Sequence, residues 1–335
     1  MAAFDTLKAA FEASLTPSPT VISIGLAVVL LIPIILHFIF SATTPYTPLP
    51  PVLLVGPPGA GKTALLTLFE RGPLYNPDQS PSASEKPSVP TPVAKTHTSQ
   101  LPSTVELAVS DGPTPSSYRT DLDAAGATAK KFLLIDTPGH PKLRAHALAH
   151  LSPSSQKPIT TTTSSSSSSA DGTKTKLKAI IFLVDAAALA DTDSPALAAT
   201  AEYLYDVLIT LQKRFHKRSG SRAPASVPVL VAANKLDLFT ALPAALVRSN
   251  LEAELTRIRK TRSKGLLDSG VGVDDVAGAR EEEEEGEGWL GGYGEGRFSF
   301  KEMMEFDVEV EVIGGNVVGE GPGAEKWWKW IGERV

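Results

Sequence analysis

Apolar residues along this chain gather into short blocks separated by longer polar or mixed stretches. Six blocks suit strands buried on both faces: PVLLV (51–55), TVELAV (104–109), KFLLID (131–136), AIIFLVD (179–185), PVLVAAN (228–234) and VEVEVIG (308–314). The segments between them carry apolar positions at helical spacing and predict helices over 62–70, 141–151, 194–216, 243–261 and 324–333. Strand and helix in alternation predict an α/β fold, a doubly wound and mostly parallel six-stranded sheet flanked by helices.

A seventh apolar run is of another kind. VISIGLAVVLLIPIILHFIF, residues 21–40, holds no Asp, Glu, Lys or Arg. Twenty helical residues reach about 30 Å, the thickness of a bilayer's hydrocarbon core. A cleaved signal peptide fits less well, because its apolar core would be shorter and its start basic, whereas Lys8 here is balanced by Asp5 and Glu12. Cuts near Ser41 or Ala42 would also put Ile39 or Phe40 where a small residue is needed. The run predicts one retained transmembrane helix. The expected organisation is a short N-terminus (1–20), the span (21–40), a Pro-rich tether (41–50) and a single domain over 51–335.

Three stretches lack the apolar density to offset the entropy of ordering and read as surface inserts. They are the Pro/Ser-rich 76–92, the Ser/Thr tract 152–174, and 263–297, which combines Gly, an acidic run and GWLGGYGEG. Net charge is −5 with no broad basic face, which argues against direct nucleic-acid binding. The chain has no cysteine, so disulfides, thiolate metal sites and cysteine nucleophiles are excluded.

Candidate chemistry sits where the strands end. Gly56-Pro57-Pro58-Gly59-Ala60-Gly61-Lys62-Thr63 fits G-x-x-x-x-G-K-[ST], between the first strand and first helix of the domain. Its glycines let backbone N–H groups curl around phosphate oxygens, Lys62 would reach the β- and γ-phosphates, and the Thr63 hydroxyl would bind Mg²⁺. The loop alone does not name the base, since ring-forming ATPases carry similar wording.

Asn234-Lys235-Leu236-Asp237 closes the fifth strand and resembles the guanine-reading N-K-x-D of GTPases. The Asp237 carboxylate can accept from both the ring N–H and the exocyclic amine of guanine, a donor pair that adenine lacks. Asn234 would brace the loop and touch the base, and the Lys235 stem would lie over its plane. Asp136-Thr137-Pro138-Gly139-His140, at the third strand's end, matches the D-x-x-G sensor: Asp136 would hold Mg²⁺ through water and the Gly139 N–H would bind the γ-phosphate. No apolar run ending in Asp-Glu, as ring-forming ATPases show, is present, so GTP is favoured over ATP.

His140 stands where many small GTPases place the glutamine that orients the attacking water. Histidine there resembles translational GTPases and predicts slow unassisted hydrolysis. Thr96 and Thr98 both qualify as the first-switch threonine for Mg²⁺, with Thr96 preferred. Ile313-Gly314-Gly315-Asn316 occupies the place of the last base-supporting loop, with Gly315 the candidate contact.

The combination of a span, a brief tether, DTPGH and NKLD resembles the signal recognition particle receptor beta-subunit family, a small-GTPase-like fold. AIIFLVDAAAL, AEYLYDVLI, LEAELTRIRKTRS and the closing AEKWWKWIGERV are similar to that family as well. The resemblance implies GTP and Mg²⁺ as ligands and a GTPase domain in the cytosol at the endoplasmic reticulum membrane. It implies that the GTP-bound form binds the N-terminal domain of the receptor alpha subunit, with ribosome and translocon as indirect partners. The alternative on the residues alone is an autonomous membrane-anchored GTPase enzyme of trafficking.

Overall fold

The computed structural model describes residues 19–43, 49–72, 95–110, 129–151, 177–191, 194–216, 226–268, 290–291, 296–319 and 321–335. The chain divides into two compact units, Met1–Pro48 and Leu49–Val335. The first contains helix α1 (Pro19–Thr43), whose 25 residues are about 37 Å long. Its exposed large apolar side chains, among them Ile22, Leu26, Val29, Leu30, Leu31 and Ile34, are 44 to 69 % exposed. Consecutive positions 28–32 are all exposed, so the apolar surface is not a stripe but runs around the helix. The described side chains of α1 run unbroken only over 25–37, and among the described residues no helix is long and apolar enough to cross a membrane.

The second unit is built on six strands: β1 (Pro51–Val55), β2 (Ser103–Ser110), β3 (Ala129–Asp136), β4 (Ala179–Asp185), β5 (Val229–Asn234) and β6 (Val310–Gly314). Their order is β2-β3-β1-β4-β5-β6, with β2 antiparallel to β3 and every other pairing parallel. The helices are α2 (Lys62–Arg71), α3 (Arg144–Leu151), α4 (Pro195–His216), α5 (Ala244–Asp268) and α6 (Glu325–Arg334). Short 3-10 helices lie at Pro141–Leu143 and Phe300–Phe306.

The apolar runs of β1, β4 and β5 are buried on both faces because helices cover both. Alternate residues serve opposite layers. Leu53, Val55, Ile180, Phe182, Val229 and Val231 face a core filled by α3, α4 and α5, which supply Leu151, Leu204, Leu208 and Leu251. Val52, Leu54, Ile181, Leu183 and Leu230 face the other, filled by α2 and α6. There Trp328 stacks at a tilt on Phe69, with centroids 4.9 Å apart, and Trp327 donates its indole N–H to Ile313 O at 3.0 Å.

The predicted elements fall where expected, within a few residues, with two corrections. The segment 141–151 is a 3-10 turn followed by α3 rather than one helix, since Pro141 and its neighbours form the turn that leaves the β3 loop. The stretch 263–297 is not wholly an insert: α5 continues to Asp268, and Leu290 is fully buried. Arg259 of α5, itself buried, donates to the carbonyls of Leu290 and Gly296 and meets Glu302 at 3.3 Å, which docks the returning chain on the helix. The stretches 76–92 and 152–174 lie outside the described residues.

Candidate functional site

Strand order reverses at β1, whose neighbours β3 and β4 connect onward in opposite directions, and the loops leaving the carboxyl ends of β1, β3 and β5 converge beside it. That convergence brings three sequence-predicted motifs together. The loop after β1 turns at Gly56, where φ is +143° and a Cβ would stand 2.2 Å from Leu183 O. Only glycine lets the phosphate loop lie this close to β4. Pro57 is half-buried, while Pro58 and Gly59 are exposed at the loop's tip and Ala60 is buried beneath it. The first backbone bond of α2 is Leu65 N to Gly61 O, and Gly61 gives no side-chain cap. The first-turn N–H groups of α2 therefore have no partner within the helix, an arrangement suited to an anion.

Lys62 is buried, and its ammonium donates to Gly56 O and Pro57 O at 2.9 Å each. Burial pulls its pKa down to about 8, against the opposing charge of Asp136. Asp136 is fully buried, and burial pushes its carboxyl above the usual range, opposed by the Thr63 hydroxyl and the Lys62 charge. Thr63 Oγ1 donates to Asp136 Oδ2 at 2.7 Å. The hydroxyl's lone pairs are thus left for an electrophile, and Asp136 Oδ1 has no hydrogen-bond partner.

An orphaned buried carboxylate oxygen beside an outward lone pair fits a hard divalent cation that keeps several of its own waters. Among the described residues no group of three or more acidic or histidine side chains is arranged to hold a metal ion. Such an ion takes much of its coordination from phosphate and water.

Gly139 is buried where its Cα meets the phosphate loop; a Cβ would lie 2.5 Å from Lys62 Nζ and 2.7 Å from Gly56 O. Thr137, which precedes it, donates its hydroxyl to Leu54 O at 2.8 Å and pins the segment to β1. His140 is exposed and caps the 3-10 turn, its Nδ1 accepting from Lys142 N at 3.3 Å. The other ring nitrogen is left for solvent. Thr96 is half-buried and Thr98 exposed in the segment leading to β2; among the described residues neither is joined by a hydrogen bond to Thr63 or Asp136.

Asn234 is the brace of the site. Its Nδ2 donates to Ala60 O at 2.7 Å and its Oδ1 accepts from Val317 N at 3.1 Å. One buried side chain thus ties the phosphate loop to the loop after β6. Asp237 stands at the rim against the loop 316–319, close enough that a Cβ on Gly319 would lie 2.8 Å from its Oδ2. Gly315 has its backbone engaged, N–H to Ala233 O at 2.9 Å and carbonyl from Leu236 N at 3.3 Å, and its Cα lies under the Trp327 ring.

Two residues carry roles not assigned from the sequence, although Asn316 falls within the expected base-supporting loop. Asn316, buried, holds the base-side loop: its Nδ2 donates to Val318 O and Gly319 O, and its Oδ1 accepts from Gly323 N at 2.7 Å. Asp185 ends β4 directly opposite Asn234 and pairs with Lys235. The matching strand ends were the available signal for Asp185; an Asn following Gly-Gly at a strand's end was the signal for Asn316.

A family model described as signal recognition particle receptor beta subunit matches residues 166–304. A solved SRb-GTP/SRX complex from Chaetomium thermophilum is 58% identical, with a TM-score of 0.66, over 85% of this chain and 100% of that one. The chain belongs to the signal recognition particle receptor beta-subunit family. A second structure of the family, SRb-GDP-Mg from the same organism, is 52% identical with a TM-score of 0.56, over 87% of this chain and 100% of that one. The Saccharomyces cerevisiae beta subunit is 28% identical over 218 residues, a match spanning 65% of this chain and 61% of the yeast protein.

Proposed function

We propose that this chain is the GTP-binding, membrane-anchored subunit of a signal recognition particle receptor, and that nucleotide state controls its hold on the alpha subunit. The observation that carries the reading is the Asn234 bridge. It joins Ala60 in the phosphate loop to Val317 in the base-side loop, as a site binding one molecule at both ends requires. In this reading Gly56 to Thr63 cradle the phosphates, Asp237 selects guanine, and Lys235 covers the base. Gly315 acts through the backbone bonds that carry the base-side loop. Related structures have been solved as an SRb-GTP/SRX complex and as SRb-GDP-Mg, which supports GTP and Mg²⁺ as the ligands here.

Thr63 and Asp136, with Thr96 from the first switch, would hold the cation, which when bound offsets phosphate charge. The Gly139 N–H would meet the γ-phosphate, so that the third phosphate would set the position of the segment that runs into the 3-10 turn and α3; its close approach to Lys62 and Gly56 supports this. That segment then presents or withdraws a surface for the alpha subunit. His140 would orient the attacking water through the ring nitrogen not engaged with Lys142, and unassisted turnover would be slow.

Helix α1 serves as a single-pass anchor in the endoplasmic reticulum membrane, with the GTPase unit in the cytosol. The uncharged apolar run 21–40 in the sequence, as long as a bilayer's core is thick, supports this. The test loads the protein with GTP or GDP and measures its binding to the alpha subunit's N-terminal domain. Tight binding with GTP alone and turnover far below one per second fit the switch; fast turnover with no nucleotide-dependent partner fits an autonomous enzyme.

A further inference from the structure

The guanine-side loop contains a strained residue whose side chain is held by a group outside the three motifs described above. Lys235 has φ +66°, a left-handed backbone conformation that a long L side chain adopts only under constraint. Its ammonium meets Asp185 Oδ2 at 2.5 Å, and both side chains are largely covered, 34 % and 22 % exposed. Asp185 is itself fixed. Its Oδ1 accepts from Ala187 N at 3.1 Å and Ala188 N at 3.2 Å, and its Cα is in register with Asn234 on the neighbouring strand. The carboxylate therefore faces two ways, one oxygen closing the turn after β4 and the other gripping Lys235.

We infer that Asp185 is a positioning residue for the nucleotide base: it holds the Lys235 stem extended across the mouth of the site before nucleotide arrives. This rests on the guanine-nucleotide reading above and adds a residue to it. A free lysine would lose several rotatable bonds' worth of freedom on covering a base, and the ion pair removes that cost in advance. The pairing is made after β4 and β5 and involves no residue of the Gly56–Thr63 loop, so its effect is the same whichever phosphate number is bound. It does not touch Asp237, so it bears on how long any purine with the right edge stays, not on which purine is chosen.

The two roles of Asp185 can be separated. Asp185→Asn keeps an oxygen for Ala187 and Ala188 but loses the charge that holds Lys235; Asp185→Ala loses both. The experiment uses the full chain in detergent micelles and follows release of fluorescent GDP and GTP analogues by stopped flow. Asp185→Asn is expected to release both about tenfold faster, the scale of one charge-assisted contact. The guanosine-to-inosine preference and the unfolding midpoint of the nucleotide-free protein stay unchanged. In a Lys235→Met background the same substitution has no further effect.

Release rates within twofold of the parent, or an equal acceleration in the Lys235→Met background, overturn the inference while leaving guanine binding intact. Acceleration matched by a fall in the unfolding midpoint overturns it too, by making Asp185 a turn residue only. Failure of the parent protein to bind either analogue overturns the nucleotide reading and this inference with it.

Discussion

Replacing Asn234 by alanine tests the site at its joint. The substitution deletes the 2.7 Å bond to Ala60 O and the 3.1 Å bond from Val317 N, and both of those backbone bonds are buried. A buried polar group left without a partner costs about 1–3 kcal/mol, so two such groups put the loss at about 2–6 kcal/mol. Neither strand changes, so the loss falls on the loops that Asn234 joins. Urea unfolding of the full chain in micelles measures it, with the fluorescence of the buried Trp327, Trp328 and Trp330 as signal.

GDP affinity should fall in parallel, because the phosphate loop and base-side loop are no longer held in one frame. Asn234→Asp keeps the acceptor for Val317 but sets a second oxygen against Ala60 O, so it should do no better than alanine. If Asn234→Ala unfolds within about 0.5 kcal/mol of the parent, below the cost of one orphaned group, and binds GDP unchanged, the bridge is incidental and the reasoning fails.

Three further outcomes follow from the same geometry. The Lys62 ammonium, depressed to about 8 in the free protein, is lost as pH rises through that value. Nucleotide affinity should therefore be level below about pH 7.5 and fall by up to about tenfold per unit above 8, while the free protein grows more stable between there and the lysine's ordinary value. Calorimetric titration that finds constant affinity to pH 9.5 contradicts this. Gly139→Ala must displace Lys62 or the phosphate loop, so GTP should weaken relative to GDP in competition binding; an unchanged ratio refutes the sensor role. Trp328→Ala removes the ring between Phe69 and Phe132 and should destabilise the unit by about 3–5 kcal/mol in urea titration, with little change in base preference.

Most of this architecture was legible because the central strands are buried on both faces. PVLLV, AIIFLVD and PVLVAAN cannot be solvated, so their runs and endpoints were unambiguous, and the ends of the first and last carry motifs. The return of the chain at Leu290 was not legible. One leucine among glycines leaves the composition of a loop, and its burial depends on Arg259 and Gln212, far away in sequence. Gly315 lies at the loop's root, but the residue that shapes the loop is Asn316, whose three bonds are all to backbone; an Asn after Gly-Gly marks a turn without saying which groups it will hold. Asp185 ends its strand as Asn234 ends the next, a hint in the sequence that the sheet register turns into a contact.

Base choice is the most direct measure of what the molecule is for. Calorimetric titration of the parent chain and of Asp237→Asn with GDP, XDP and ADP should give GDP alone for the parent, and a variant that loses GDP and gains XDP. A parent that takes ADP as readily as GDP, or a variant whose GDP affinity is unaltered, would mean that the carboxylate at the rim does not read guanine.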